Sequence, residues 1–139
     1  MSDAFPPIEE LIPHRGPMCL LRRIVEMRDE GVQAEAAFVP DSGVPATMVA
    51  SQAWSLEVVA QAAGVFVGWH HRERGWRSGR LIKTTRWTMG ARPLPCGEVM
   101  RVYSKLDTWS EAGVFRFNGH LEDASGNRLA GGQLTIYAS

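Results

Sequence analysis

The sequence predicts an α+β fold, an antiparallel sheet of five to six strands wrapped around one long central helix. Three observations carry this. The elements run as two strands, one helix and four further strands. The helix is apolar on almost every side, so the sheet must surround it. Several of the strands alternate apolar and polar residues with period two, so each has one buried face.

Taken in order, Pro6, Pro7, Pro13 and Pro17 exclude a long helix from residues 1–19. Pro7 suits the first position of a short helical turn over Ile8 to Leu11. Leu20 to Met27 reads as a strand, closed by Asp29, Glu30 and Gly31. Val32 to Val39 sets Val32, Ala34, Ala36 and Phe38 against Gln33 and Glu35, which makes it the second arm of a hairpin. Pro40 to Pro45 is a loop.

From Ala46 to His71 there is no proline, and Ser51 or Thr47 can cap a helix. Trp54, Val58, Ala62, Val65 and Trp69 recur at helical spacing. The polar exceptions are Ser55, Glu57 and Gln61. Gly75 and Gly79 break the charged run that follows. Arg80 to Met89, Val99 to Thr108, Val114 to Leu121 and Leu129 to Tyr137 are the remaining strands. Asp123 to Asn127 is a hairpin-type turn.

A chain of 139 residues sits at the common size for one domain, so residues 1–139 are read as one. Fifteen basic and fifteen acidic residues cancel, which argues against a nucleic-acid binder. No apolar run approaches the roughly 20 residues of a membrane span. No charged and apolar leader opens the sequence. Cys19 and Cys96 form no close pair and are expected as cytosolic thiols. No H-E-x-x-H, cysteine cluster, phosphate loop or G-x-S-x-G elbow occurs, so no metal or other cofactor is expected.

The stretch Leu11–Ile12–Pro13–His14–Arg15–Gly16–Pro17–Met18, running into Cys19–Leu20–Leu21–Arg22–Arg23, resembles the N-terminal signature of the beta-hydroxyacyl-acyl-carrier-protein dehydratases. Leu56–Glu57–Val58–Val59–Ala60–Gln61–Ala62–Ala63–Gly64 resembles the middle of their central helix. Leu94–Pro95–Cys96–Gly97 is similar to the turn before their next long strand. The nearest branch is the FabZ-like one found in aryl-polyene clusters. The resemblance implies a hotdog fold and a cytoplasmic dimer, either a homodimer or a heterodimer with a His-bearing hotdog subunit. It also implies a substrate held as an acyl-phosphopantetheine on an acyl carrier protein, or as an acyl-coenzyme A.

Dehydrating a 3-hydroxyacyl thioester requires a base for the proton beside the carbonyl and an acid for the departing hydroxyl. Glu57 matches the family's helix acid. It is also a lone carboxylate in an apolar helix, where desolvation would raise its pKa toward neutrality. The alternative is a Glu57 that faces solvent or pairs with an arginine. Gln61, one turn on, orients Glu57, holds a ligand amide or is a satisfied core amide. Gly64 lets another backbone approach and is assigned with Gln61 to substrate binding.

The family's loop histidine is absent from Ala36 to Pro45. His14 or Asp41 replaces it, or Glu57 alone activates water in a thioesterase, or the chain is the His-less partner subunit of a heterodimeric dehydratase. The alternative role for His14 is to lock the N-terminal segment. His70 and His71 are read as cations favoured by the helix C-terminus, and His120 as a surface or packing residue. Arg72, Arg74, Arg77 and Arg80 make a basic patch that would attract an acidic carrier protein, or simply a solvated loop. Trp76 and Trp87 line an acyl pocket or belong to the core.

Overall fold

The computed structural model describes residues 5–14, 19–38, 54–76, 79–90, 94–95 and 97–139. The described residues form six strands: β1 (Leu21–Met27), β2 (Gly31–Ala36), β3 (Gly79–Met89), β4 (Met100–Trp109), β5 (Val114–Glu122) and β6 (Arg128–Ala138), of which β2 and β5 alternate buried and more open residues as the sequence suggests. They form one antiparallel sheet in the order β1-β2-β4-β5-β6-β3. The helix α1 (Trp54–His70) packs against all six strands. The start expected between Ala46 and Ser51 lies outside the described residues.

The second strand ends at Ala36 rather than Val39, and Phe38 keeps a single bridge. Its side chain is fully buried in the core with Phe66, Phe115 and Phe117. Phe66 of α1 meets Phe117 of β5 edge to face, with ring centroids 5.5 Å apart. Such pairs add specificity to the roughly 2 kcal/mol that burial of each large apolar side chain contributes.

The strand β3 shows no buried face and is exposed along almost its whole length. It is an edge strand, so its outer rim of N–H and C=O groups has no neighbour within the described sheet. Leu81, Ile82 and Met89 are exposed there.

Across α1 lies a strap made of the 3-10 turn Ile8–Glu10 and the residues up to His14. Ile8 and Ile12 are buried and pin it to the core. The strap runs against the helix direction. Leu11 passes over Gly68, and Ile12 lies against Gly64. His14 reaches Glu57. No helix among the described residues is long and apolar enough to cross a membrane.

Candidate active site

The helix leaves one stripe incompletely covered: Glu57, Ala60, Gly64, Gly68 and then His71 beyond its end. The spacing of three to four residues keeps them on one face. Together with the strap on one side and Leu81, Ile136 and Ala138 on the other, the stripe lines a cleft of about 490 Å³.

At one end His14 Nε2 lies 3.0 Å from Glu57 Oε2. Gln61 Nε2 donates to the same oxygen at 2.9 Å. Gln61 is itself buried, and its Oε1 accepts the Leu20 N–H at 2.9 Å. The chain entering β1 therefore fixes the amide, the amide fixes the carboxylate, and the strap adds the imidazole. Among the described residues nothing hydrogen-bonds Glu57 Oε1. One oxygen is held by two donors, and the residue lines the cleft.

This corrects the expected electrostatics. Burial does push the Glu57 carboxyl up, and it is the largest single influence. The hydrogen bonds from His14 and Gln61, with the charge of His14, together outweigh it and hold the pKa below its ordinary value. The spacing of Glu57 and Gln61 was readable in the sequence, but the partner that reverses the shift sits far away along the chain. Glu57 does not stand alone, and among the described residues it pairs with no arginine.

Gly64 lines the cleft, but the direction a Cβ would take is held by the Ile12 side chain at 3.1 Å. The backbone that closes on the helix does so at Gly68, against Leu11.

At the far end His71 lies among the rings of Trp76, Trp109 and Phe115, with centroids 5.7, 4.6 and 5.1 Å away. Burial lowers its pKa. Glu73 pulls the other way, while Arg74 and His70 add to the lowering. The expectation of a dipole-stabilised cation is therefore corrected for His71. His70 does have a polar partner, the Arg28 carbonyl at 2.8 Å. His120 also has more than packing: it stacks on Tyr103 and its Nε2 lies 2.9 Å from Glu122 Oε2.

The basic patch is less available than the sequence implies. Arg74 pairs with Glu111 and covers the rings of Trp76 and Trp109. Arg72 bonds the Trp69 carbonyl and lies over its indole. Arg80 is exposed on β3. Trp76 joins the cleft wall, while Trp87 packs against the core with its indole N–H buried and unpartnered among the described residues. Arg77, Asp41, Cys96 and the Arg15–Met18 part of the N-terminal motif lie outside the described residues. Among the described residues no group of three His, Cys, Asp or Glu side chains could hold a metal ion.

A family model described as ApeP-like, ApeP dehydratase, matches residues 6–139. No curated protein matches the sequence. Among solved structures, the dehydratase heterocomplex ApeI:P from Xenorhabdus doucetiae is similar with a TM-score of 0.83 and 24% identity, covering 98% of this chain and 93% of that one. A hypothetical thioesterase from Streptococcus pneumoniae, solved with coenzyme A, gives 0.62 and 14%, covering 84% of each chain. The E. coli PaaI protein of the phenylacetic acid degradation operon gives 0.62 and 8%, covering 83% and 81%. At these identities the likeness carries the fold, which is hotdog: a six-stranded antiparallel sheet around one long helix.

Proposed function

The chain belongs to the ApeP-like dehydratase family, and from that membership we propose that it removes water from 3-hydroxyacyl thioesters carried on an acyl carrier protein, with Glu57 and His14 as the reacting pair. The observation that carries the site assignment is the one-sided hold on a carboxylate that lines the cleft: Oε2 is held by His14 and Gln61, and among the described residues nothing hydrogen-bonds Oε1. A pKa held below the ordinary range keeps Glu57 ionised at neutral pH, which suits a base. In this reading Oε1 takes the proton from the carbon beside the thioester carbonyl. The C3–O bond breaks, and the departing hydroxyl takes a proton from His14 to leave as water. Glu57 then loses its proton to solvent and His14 takes one up, so the pair ends as it began.

Incubation of the purified chain with a 3-hydroxyacyl carrier-protein thioester tests this by mass spectrometry. Loss of one water is expected. Release of the free acid would instead identify a thioesterase.

The pH dependence follows from the sign of the Glu57 shift. A base with a lowered pKa works down to more acidic pH than an ordinary glutamate, near 4.3, would permit. Replacing His14 by Asn removes the principal lowering contact. The acid limb of the pH–rate profile should therefore move to higher pH, in whatever activity remains. The same group contributes stability above its unfolded-state pKa, and that contribution is lost as pH falls through the lower folded-state value.

A second arrangement has its own support. The segment from Ala36 to Pro45 contains no histidine, and the ApeI:P relative is described as a heterocomplex. A His-bearing hotdog subunit joined along β3 would cover the mouth of the cleft, because Gly79 and Leu81 of that strand line it. Burying the exposed Ile82, at 57% exposure, would favour such pairing. Ile82→Lys should then weaken association with a like or unlike subunit by about tenfold or more, read by analytical ultracentrifugation. Activity that appears only on mixing with that subunit would make this chain the donor of Glu57 to a shared site.

A further inference from the structure

The opposite face of the sheet holds a second concavity, of about 670 Å³, between β3, β4, β5 and β6. Side chains there alternate away from the helix. Ser104, Phe117 and Leu134 face inward and are buried. Lys105, Asn118 and Gln133 stand opposite one another across three strands on the outer face. We propose that this pocket is a binding site for a phosphate-bearing anion, held by Arg86, Lys105 and Arg128.

Charge is the first support. The pocket is lined by these three cations with Asn118, Gln133 and His120 beside them, and by no carboxylate among the described lining residues. None of the three cations is in an ion pair among the described residues. Toward β1 on this face the cations are matched. Arg23 grips Glu35 through two bonds of 2.8 and 3.0 Å, and Arg101 lies 3.6 Å from the same carboxylate. Arg128 is paired across the strands with Glu122, yet that carboxylate is held by His120. The guanidinium instead lies over Gly131, where a Cβ would overlap Nη2 and stand 2.8 Å from Cζ. A cation turned from its cross-strand acid toward an acid-free hollow is available to an external anion.

The backbone is the second support. Between the pairs Thr85↔Gln133 and Thr88↔Gly131 the register slips, so Arg86 and Trp87 face Gly132 alone. Arg86 occupies the left-handed region with φ 56°, which a side-chain-bearing residue adopts at a cost of order 1 kcal/mol. A Cβ on Gly132 would stand 2.7 Å from the Arg86 carbonyl oxygen. The bulge exists because position 132 is glycine, and it re-aims the Arg86 end of β3. Bulges and strained residues of this kind concentrate where a side chain must meet a ligand. The Tyr103–His120 pair, stacked at 4.5 Å, offers a flat ring face at the rim.

The site is independent of the Glu57 cleft and stands whatever reaction that cleft performs. Isothermal titration of the full chain with pyrophosphate, coenzyme A and succinate tests it. Pyrophosphate should bind with Kd of about 1 mM or tighter, and Arg128→Gln and Lys105→Gln should each weaken it about tenfold. These variants lie on different strands, and their melting curves establish that each is folded. Coenzyme A binding more tightly than pyrophosphate would name a nucleotide as the source of the phosphate, and equal or weaker binding would name a free phosphate anion. Failure of pyrophosphate to bind would overturn the proposal. So would binding that neither variant weakens, or succinate binding as well as pyrophosphate.

Discussion

Glu57→Gln should lower the dehydration rate by about 10² to 10⁴-fold, the range one general base contributes. The substitution removes proton affinity and little else. A glutamine of the same length keeps an oxygen to accept from His14 and Gln61, so the bonds of 3.0 and 2.9 Å can persist. The melting temperature should therefore change by no more than a few degrees. Measuring kcat and KM separately decides the role. A fall in kcat at unchanged KM marks a group acting in the transition state. A rise in KM with kcat retained would mean that Glu57 only binds the substrate, and the catalytic assignment would fail.

The residues that made the fold legible are those whose neighbours are local. Alternation in β2 and β5 named their buried faces. The almost unbroken apolar run of α1 required cover around the helix, which the sheet gives on most of it and the strap gives across one face. In the site, Glu57 and Gln61 were legible as a pair because four residues on a helix bring side chains together. His14 was legible as a motif residue and as a candidate replacement for the loop histidine, but not as a neighbour of Glu57. Its meeting with Glu57 depends on how the strap crosses the helix, which no periodicity records. The direction of the Glu57 shift was misread for the same reason: desolvation can be read from an apolar helix, but a hydrogen bond from a distant loop cannot. Arg72 and Arg74 looked free in the sequence because the rings and carboxylate that occupy them lie on α1, β4 and the turn after it. The bulge at Arg86 was invisible for a simpler reason. The edge strand that contains it shows no buried face to interrupt.

Gly68 is where the strap and the chemistry depend on each other. On helix propensity alone, Gly68→Ala should stabilise the protein by about 1 kcal/mol. The geometry predicts the reverse. A Cβ there would overlap the Leu11 carbonyl oxygen and stand 3.1 Å from its carbonyl carbon. The obstacle is backbone, so no rotamer change relieves it. Overpacking of this kind costs about 1–3 kcal/mol, which exceeds the propensity gain at the upper end. The strap must lift, and Ile8 and Ile12 resist because both are buried. His14 is the end of that lever. A displacement of about 1 Å at the reacting groups can cost about 10²-fold in rate. Gly68→Ala should thus destabilise the chain in urea and lower kcat. Its acid limb should move toward that of His14→Asn, because both changes withdraw the imidazole from Glu57. A variant that is destabilised but keeps the wild-type pH profile would show that the strap holds the helix without positioning His14. A stabilised variant would show that the strap yields freely, and that the His14–Glu57 contact does not depend on how closely Leu11 lies on the helix.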